Sequence, residues 1–221
     1  MVAILTRRLE FPPATKANRD GLVAVGGDLS IERLLLAYQS GIFPWPIAED
    51  MPMTWFSPDP RAILELDELH VPRSLAKVIR RGTYTVTIDR AFARVIQACG
   101  APTPERPGTW ITPELEDAYV ALHQAGHAHS FETWRGDELV GGLYGVATQG
   151  LFAGESMFSR ADDASKVALV HLVEHLRSRG YALLDIQQGT RHMVSLGAKL
   201  IPRREYLSRL AAALQQPVTF S

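Results

Sequence analysis

The sequence predicts an α+β fold, and three consecutive stretches carry that prediction. From His127 to Met157 run three strand-like segments, separated by Arg135-Gly136-Asp137 and Thr148-Gln149-Gly150, whose compositions favour hairpin turns. Residues 164–179 then read as a helix, with Asp162 and Asp163 ahead of it and Arg177 and Arg179 in its last turn, charges that suit the two ends of a helix dipole. Its apolar residues Val167, Val170, Leu172, Val173 and Leu176 make a face broad enough to be largely buried. Residues 181–187 follow as an apolar strand that turns polar at its end. Antiparallel hairpins, a buried helix and a further strand, in that order, are an α+β arrangement.

The other elements lie on either side of this core. Residues 11–28 are rich in Pro, Asn and Gly and read as loop, with a short strand at 22–25. Asp28 and Ser30 can cap a helix over 32–39, and Gly41 closes it. The run Ile42-Phe43-Pro44-Trp45-Pro46 cannot be helix interior, and Pro52, Pro58 and Pro60 continue the irregular character around Trp55 and Phe56. A boundary near Arg61 is expected to divide a small domain, 1–60, from a larger one, 61–221. Beyond it 71–81 reads as helix, 84–88 alternates like a strand, and Asp89 opens a helix through Ala98. Residues 101–108 read as loop, through Pro102, Pro104 and Pro107. Thr112 followed by Pro113 starts a helix that Gly126 stops, and a final β–α region ends in a helix around 204–214.

Composition narrows the function. The 221 residues are 46% hydrophobic and 21% charged, without a biased tract, as in soluble globular proteins. The net charge of −1 means that any nucleic-acid contact must come from a local basic patch rather than a global field. Cys99 is the only cysteine, which excludes an internal disulfide and suits a reducing compartment. Two arginines follow the first apolar residues, the reverse of a signal peptide, and no apolar run approaches the roughly 18 residues that span a bilayer. A cytoplasmic protein with no membrane partner is expected, and the lack of a strong exposed apolar helix leans towards a monomer. There is no GxxxxGK[ST] loop, no GxGxxG after a strand and no GxSxG elbow, so nucleotide-cofactor and serine-hydrolase chemistry are disfavoured. His127 and His129 would share one side of a strand, but no third ligand has suitable spacing, so they read as structural and no metal is expected.

Four features could carry chemistry. Strand alternation puts Asp185 and Gln187 on one side, a carboxylate beside a carboxamide, able to accept a proton and to hold an amine or an oxyanion. The plain alternative is a strand end that becomes exposed. Glu155 sits among Gly154, Met157 and Phe158, where a carboxylate needs a partner. It could recognise an ammonium group beside an apolar pocket, or form a buried ion pair with Lys166 or Arg160. Arg73, Lys77, Arg80 and Arg81 fall on one face of their helix, either to hold phosphates or as an ordinary solvated face. Trp45 and Trp110 stand in Pro/Gly-flanked loops, where they could stack a nucleobase or simply pack.

Taken together, the motifs resemble those of the bacterial leucyl/phenylalanyl-tRNA–protein transferases. The matching runs include Gly21 through Leu29, Gly41-Ile42-Phe43-Pro44-Trp45, Trp55 through Arg61, and Gly108-Thr109-Trp110-Ile111-Thr112. They continue with Gly126 through Ser130, Gly154 through Arg160, Asp185-Ile186-Gln187, and Ser195-Leu196-Gly197-Ala198 with Ile201-Pro202-Arg203-Arg204. The resemblance implies a small N-terminal α/β domain followed by a GCN5-related acetyltransferase-like domain. It implies transfer of Leu or Phe, and also Met, from aminoacyl-tRNA to the N-terminal Arg or Lys of acceptor proteins, which marks them for degradation, with no cofactor.

Carried over residue by residue, the resemblance makes Asp185, Gln187 and Glu155 catalytic, with Asp185 either a general base or an electrostatic positioner. It makes Leu143, Met157 and Leu172 the aminoacyl pocket, and has Trp45 and Trp110 sandwich the 3′ adenine. The basic face of Arg73, Lys77, Arg80 and Arg81 would hold tRNA phosphates. Leu172 stands where members often carry an aromatic, and Gln188-Gly189-Thr190-Arg191 differs from the commoner pattern. The rival readings are a leucyltransferase for N-terminal Asp or Glu, an acyl-CoA acetyltransferase, and a tRNA-binding module without activity.

Overall fold

A computed structural model describes residues 2–48, 51–103 and 108–221. In the N-terminal region β1 (Ala3–Leu5) and β2 (Leu22–Gly26) pair in parallel. The helix α1 (Ile31–Gln39) follows, then β3 (Phe43–Pro44) and β4 (Thr54–Phe56), in a small sheet of order β1-β2-β4-β3. The Ser30 hydroxyl caps α1 by accepting from the Arg33 amide, while Asp28 holds the Arg33 guanidinium instead.

The rest of the described chain builds a seven-stranded sheet. Its first strand is β5 (Arg61–Leu64), followed by α2 (Arg73–Arg80), β6 (Thr85–Ile88), α3 (Phe92–Gly100) and α4 (Pro113–Gln124). An antiparallel meander comes next: β7 (Ala128–Arg135), β8 (Glu138–Thr148) and β9 (Leu151–Ser159). Then α5 (Ala164–Arg179) crosses over to β10 (Leu183–Gln187), which pairs in parallel with β9. A parallel neighbour needs such a crossover, and the buried helix supplies it. The chain ends with α6 (Arg191–Ser195), β11 (Lys199–Ile201) and α7 (Arg203–Ala213), giving the order β11-β5-β10-β9-β8-β7-β6.

The sheet separates two apolar layers. One face packs α5 over β7, β8 and β9, with Leu143, Phe152, Leu172 and Leu184 among its buried residues. The other packs α3, α4 and α7, and its buried cluster runs on into Tyr38, Phe43 and Trp55 of the N-terminal region.

The α+β expectation holds, including the meander with both its turns and the limits of α5. Two local readings are corrected, and one short helix is added. The proline-rich stretch around Trp55 holds a strand, β4, and leads directly into β5, because pairing to neighbours supplies the order that local composition does not. Asp89 does not cap α3, which begins at Phe92. It adopts a left-handed φ of 58° and its carboxylate binds the Ser130 amide and His129 Nδ1. The short α6 was unforeseen, although Thr190 caps it in the usual way by accepting from the Met193 amide. In the expected loop 101–108, residues 104–107 lie outside the described residues.

At Gly145 the β8/β9 register shifts, and a Cβ there would stand 2.3 Å from the Ala153 carbonyl oxygen. Gly145→Ala must push apart the strand pair that carries Glu155. A stability loss of about 1–3 kcal/mol is expected in urea denaturation.

Candidate active site

The site forms where two parallel strands stop pairing. β9 and β10 are in register only from Leu151↔Leu183 to Ala153↔Asp185. Beyond that point β10 breaks: its pairing to β5 shifts between Asp185 and Gln187, and Gln187 takes a left-handed φ of 59°. Such a conformation costs a non-glycine residue on the order of 1 kcal/mol, so the surroundings must hold it in place. Asp185 does so, because its Oδ1 accepts from the Gln187 amide at 2.9 Å.

This break overturns the simple alternation that put Asp185 and Gln187 side by side. The Asp185 side chain is fully buried and lies outside the cavity lining, whereas Gln187 lines it. Arg61 grips the Asp185 carboxylate through Nε at 2.8 Å and Nη2 at 2.5 Å, and the Tyr206 hydroxyl donates to it at 2.8 Å. With the Gln187 amide, four donors fill the acceptor sites of this carboxylate. Arg61 itself lies over the rings of Phe43 and Tyr206, at 4.7 and 4.4 Å, and donates to the Gly41 carbonyl.

Glu155 lines the same cavity as Gln187. Gln187 Nε2 donates to its Oε1 at 2.6 Å, and the Tyr119 hydroxyl donates to Oε2 at 2.8 Å. Tyr119 in turn shares a 2.5 Å hydrogen bond with Tyr38, so α1 and α4 both reach the site. Burial is the main influence on the Glu155 carboxyl and pushes its pKa up to about 7, against the pull of the tyrosine and glutamine donors. The alternative ion pairs are not made. Lys166 binds Asp163 at 2.7 Å, and Arg160 lies over the Phe158 ring.

Behind this pair is a cavity of about 240 Å³, near the small end of ligand sites. Leu143, Met157 and Leu172, which the family resemblance implies as the aminoacyl pocket, all line it. Leu169, Leu184 and Met193 line it too and were missed. Leu169 was readable, since it stands one helical turn before Leu172 on the same face.

Trp45 lines the cavity mouth and stacks directly on Trp110, with centroids 5.0 Å apart and planes 13° apart. The two rings cover each other, so a base between them requires that they part. Arg73, Lys77 and Arg80 of α2, and Arg81 that caps it, are all exposed, while Leu75, Val78 and Ile79 pack towards Val167 and Val170 of α5. None of the four makes an ion pair among the described residues.

Residues 63–211 match the family model described as leucyl/phenylalanyl-tRNA protein transferase, and residues 27–59 match the model of its N-terminal domain. The chain belongs to this family. A leucyl/phenylalanyl-tRNA--protein transferase of Anaeromyxobacter sp. (strain K) is 58% identical over 214 residues, covering 96% of this chain and 91% of that one. One from Stutzerimonas stutzeri is 56% identical over 211 residues, covering 95% and 93%. Among solved structures, L-PGS from Bacillus licheniformis is similar at a TM-score of 0.41 and 14% identity, over 74% of this chain and 55% of that one. A putative acetyltransferase of the GNAT family from Desulfovibrio desulfuricans gives a TM-score of 0.35 and 20% identity, over 57% and 84%. No helix among the described residues of this transferase-family chain is long and apolar enough to cross a membrane.

Removing Arg61 leaves the buried Asp185 charge without its partner. Arg61→Met is expected to cost about 3–5 kcal/mol in chemical denaturation, and a large part of that should return in Arg61→Met combined with Asp185→Leu.

Proposed function

We propose that this protein moves leucine or phenylalanine, and also methionine, from aminoacyl-tRNA to the N-terminal Arg or Lys of acceptor proteins, marking them for degradation. The observation that carries this reading is an apolar cavity for one side chain, with Glu155 and Gln187 hydrogen-bonded across its mouth. Family membership supplies the reaction class.

An aminoacyl ester is already activated, so the protein's task is to position the amine and manage its proton. The acceptor nitrogen bonds to the ester carbonyl carbon, the bond from that carbon to the tRNA ribose oxygen breaks, and the proton that the nitrogen gives up ends on that leaving oxygen as a hydroxyl. Glu155 is suited to receive that proton on the way, because a carboxyl with a pKa of about 7 exchanges protons near neutrality. Asp185, with four donors already in place, is a positioning residue that fixes the Gln187 turn. Gln187 holds Glu155 and can orient the amine. The open face of α2 is suited to acceptor-stem phosphates, and Trp45 with Trp110 to the terminal adenine once the rings part. In this reading 1–60 and 61–221 are the two domains, and Tyr38 of the first completes the Glu155 site of the second.

The sign of the pH effect follows from the elevated pKa. Below about 7 the Glu155 carboxyl is protonated and cannot accept, and above it the carboxylate can, so the transfer rate should rise through that pH. Glu155→Gln is expected to slow transfer by roughly 10²–10⁴-fold and to lose this limb, leaving only the titration of the acceptor amine near 7.7–8.0. Single-turnover rates across pH measure both.

The acceptor assignment is tested by transfer of labelled Leu or Phe from charged tRNA to peptides beginning with Arg, Lys, Asp or Glu, with RNase treatment of the tRNA as control. Label should enter only the Arg and Lys peptides and only with intact tRNA. Modification of the acidic peptides alone would reverse the assignment.

A further inference from the structure

Beyond α7 the chain turns back over the sheet and buries one ring. Phe220 is 6% exposed, while Thr219 and Ser221 on either side of it are exposed. The ring stacks on His129 of β7, with centroids 3.7 Å apart and planes 10° apart, and lies 4.5 Å from the imidazole of His175 on α5. Phe152, Phe131 and Tyr181 complete the cage at 5.8, 6.2 and 6.3 Å. We propose that residues 218–221 are an acid-released strap, clamped by His129 and His175, that backs the wall of the aminoacyl cavity. The strap stands apart from the aminoacyl-transfer reading, and only its effect on the transfer rate rests on that reading.

Each clamp is itself held. Asp89, at its left-handed φ of 58°, accepts from His129 Nδ1 at 2.7 Å and so fixes the imidazole plane on which Phe220 lies. His175 Nε2 donates to the Phe220 carbonyl at 2.9 Å, and Arg179 donates to the Thr219 carbonyl and hydroxyl, both at 3.1 Å. In the closed strap His129 Nε2 is buried and has no hydrogen-bond partner among the described residues. Opening would bring it to water, a gain that opposes the burial of the ring. A short segment with one buried side chain can open without unfolding the domain, and a change of charge beneath it can tip the balance.

That charge is a proton on His175. Burial is the largest influence on this imidazole and holds its pKa below the ordinary 6.5. Arg179, one turn along α5, and His129 act the same way, against the Phe220 carbonyl and Asp89. Asp89 also has His123 of α4 at 3.8 Å, Glu174 of α5 has His171 at 3.9 Å, and the Tyr181 hydroxyl is pushed up to about 12 by burial. The closed strap therefore binds fewer protons than the open one. Closure is at full strength above about 6.5 and weakens as pH falls below that value, the closed-to-open ratio dropping by at most about tenfold per pH unit.

The other walls of the cage carry the effect to the cavity. Phe152 is the register partner of Leu184, and Phe131 that of Leu143, and both leucines line the aminoacyl cavity. Releasing Phe220 leaves Phe152 and Phe131 unsupported on one side, which loosens the wall against which an aminoacyl side chain packs.

The test places para-fluorophenylalanine at position 220 of the full chain and follows it by fluorine NMR. Between about pH 8 and about pH 5.5 the resonance should move from a caged, ring-shifted position towards that of the free residue. His175→Gln keeps a donor for the Phe220 carbonyl but cannot titrate, so its resonance should stay caged at both. His175→Lys carries the charge throughout and should release the ring even at about pH 8. A resonance that does not move in the unaltered chain, or that moves equally in His175→Gln, would overturn the strap, as would a released ring in His175→Gln at the higher pH. The ratio of transfer rates, unaltered chain to His175→Gln, cancels the Glu155 titration that both share. It should be near unity at about pH 8 and fall roughly twofold to fivefold at about pH 5.5. A constant ratio with a moving resonance would overturn the support of the cavity wall. Absence of transfer in both proteins would sink the aminoacyl-transfer reading, with the resonance still deciding the strap.

Discussion

The buried pair of Arg61 and Asp185 is the interaction on which the rest of the site depends. It joins β5 to β10, reaches α7 through Tyr206, and touches the N-terminal region through the Gly41 carbonyl and the Phe43 ring. Burying two charges is costly, and their attraction offsets that cost only when the remaining acceptors and donors are also filled. Here the last acceptor of Asp185 is filled by the Gln187 amide, so the same bond that completes the pair also turns the strand out of register. Fold stability and site geometry are therefore one arrangement.

The two carboxylates of this region have opposite surroundings. Asp185 meets a guanidinium and two further donors in the core. Glu155, which lines the cavity, meets only neutral donors, and burial dominates its proton affinity. Neutral partners orient a carboxylate without fixing its charge, which suits the cavity-facing Glu155 to gain and lose a proton.

Much of this was legible in the sequence. The α5 helix announced itself through its flanking acids and bases, the meander through its two turns, and the pocket wall through residues carried over by family resemblance. The illegible part had physical reasons. β4 and β5 are short and lie among prolines, and only pairing with distant strands makes them strands. The turn at Gln187 defied alternation because a left-handed glutamine has no sequence signal. It exists only because a buried aspartate, itself held by an arginine 124 positions away, accepts its amide. Glu155 was recognised as needing a partner, but its partners are Gln187 and Tyr119 on α4, itself bonded to Tyr38 on α1, which no local spacing reveals.

The mutual cover of Trp45 and Trp110 changes the arithmetic of recognition at the mouth of the cavity. A flat ring that slides between them exchanges one ring-on-ring contact for two. The net gain is about one stack, worth roughly 1–3 kcal/mol, rather than the two that an open slot would give. Nothing bulky or non-planar can make that exchange even. In the proposed reading the closed indole pair would act as a filter for shape, keeping its own apolar faces out of water until a planar guest replaces them.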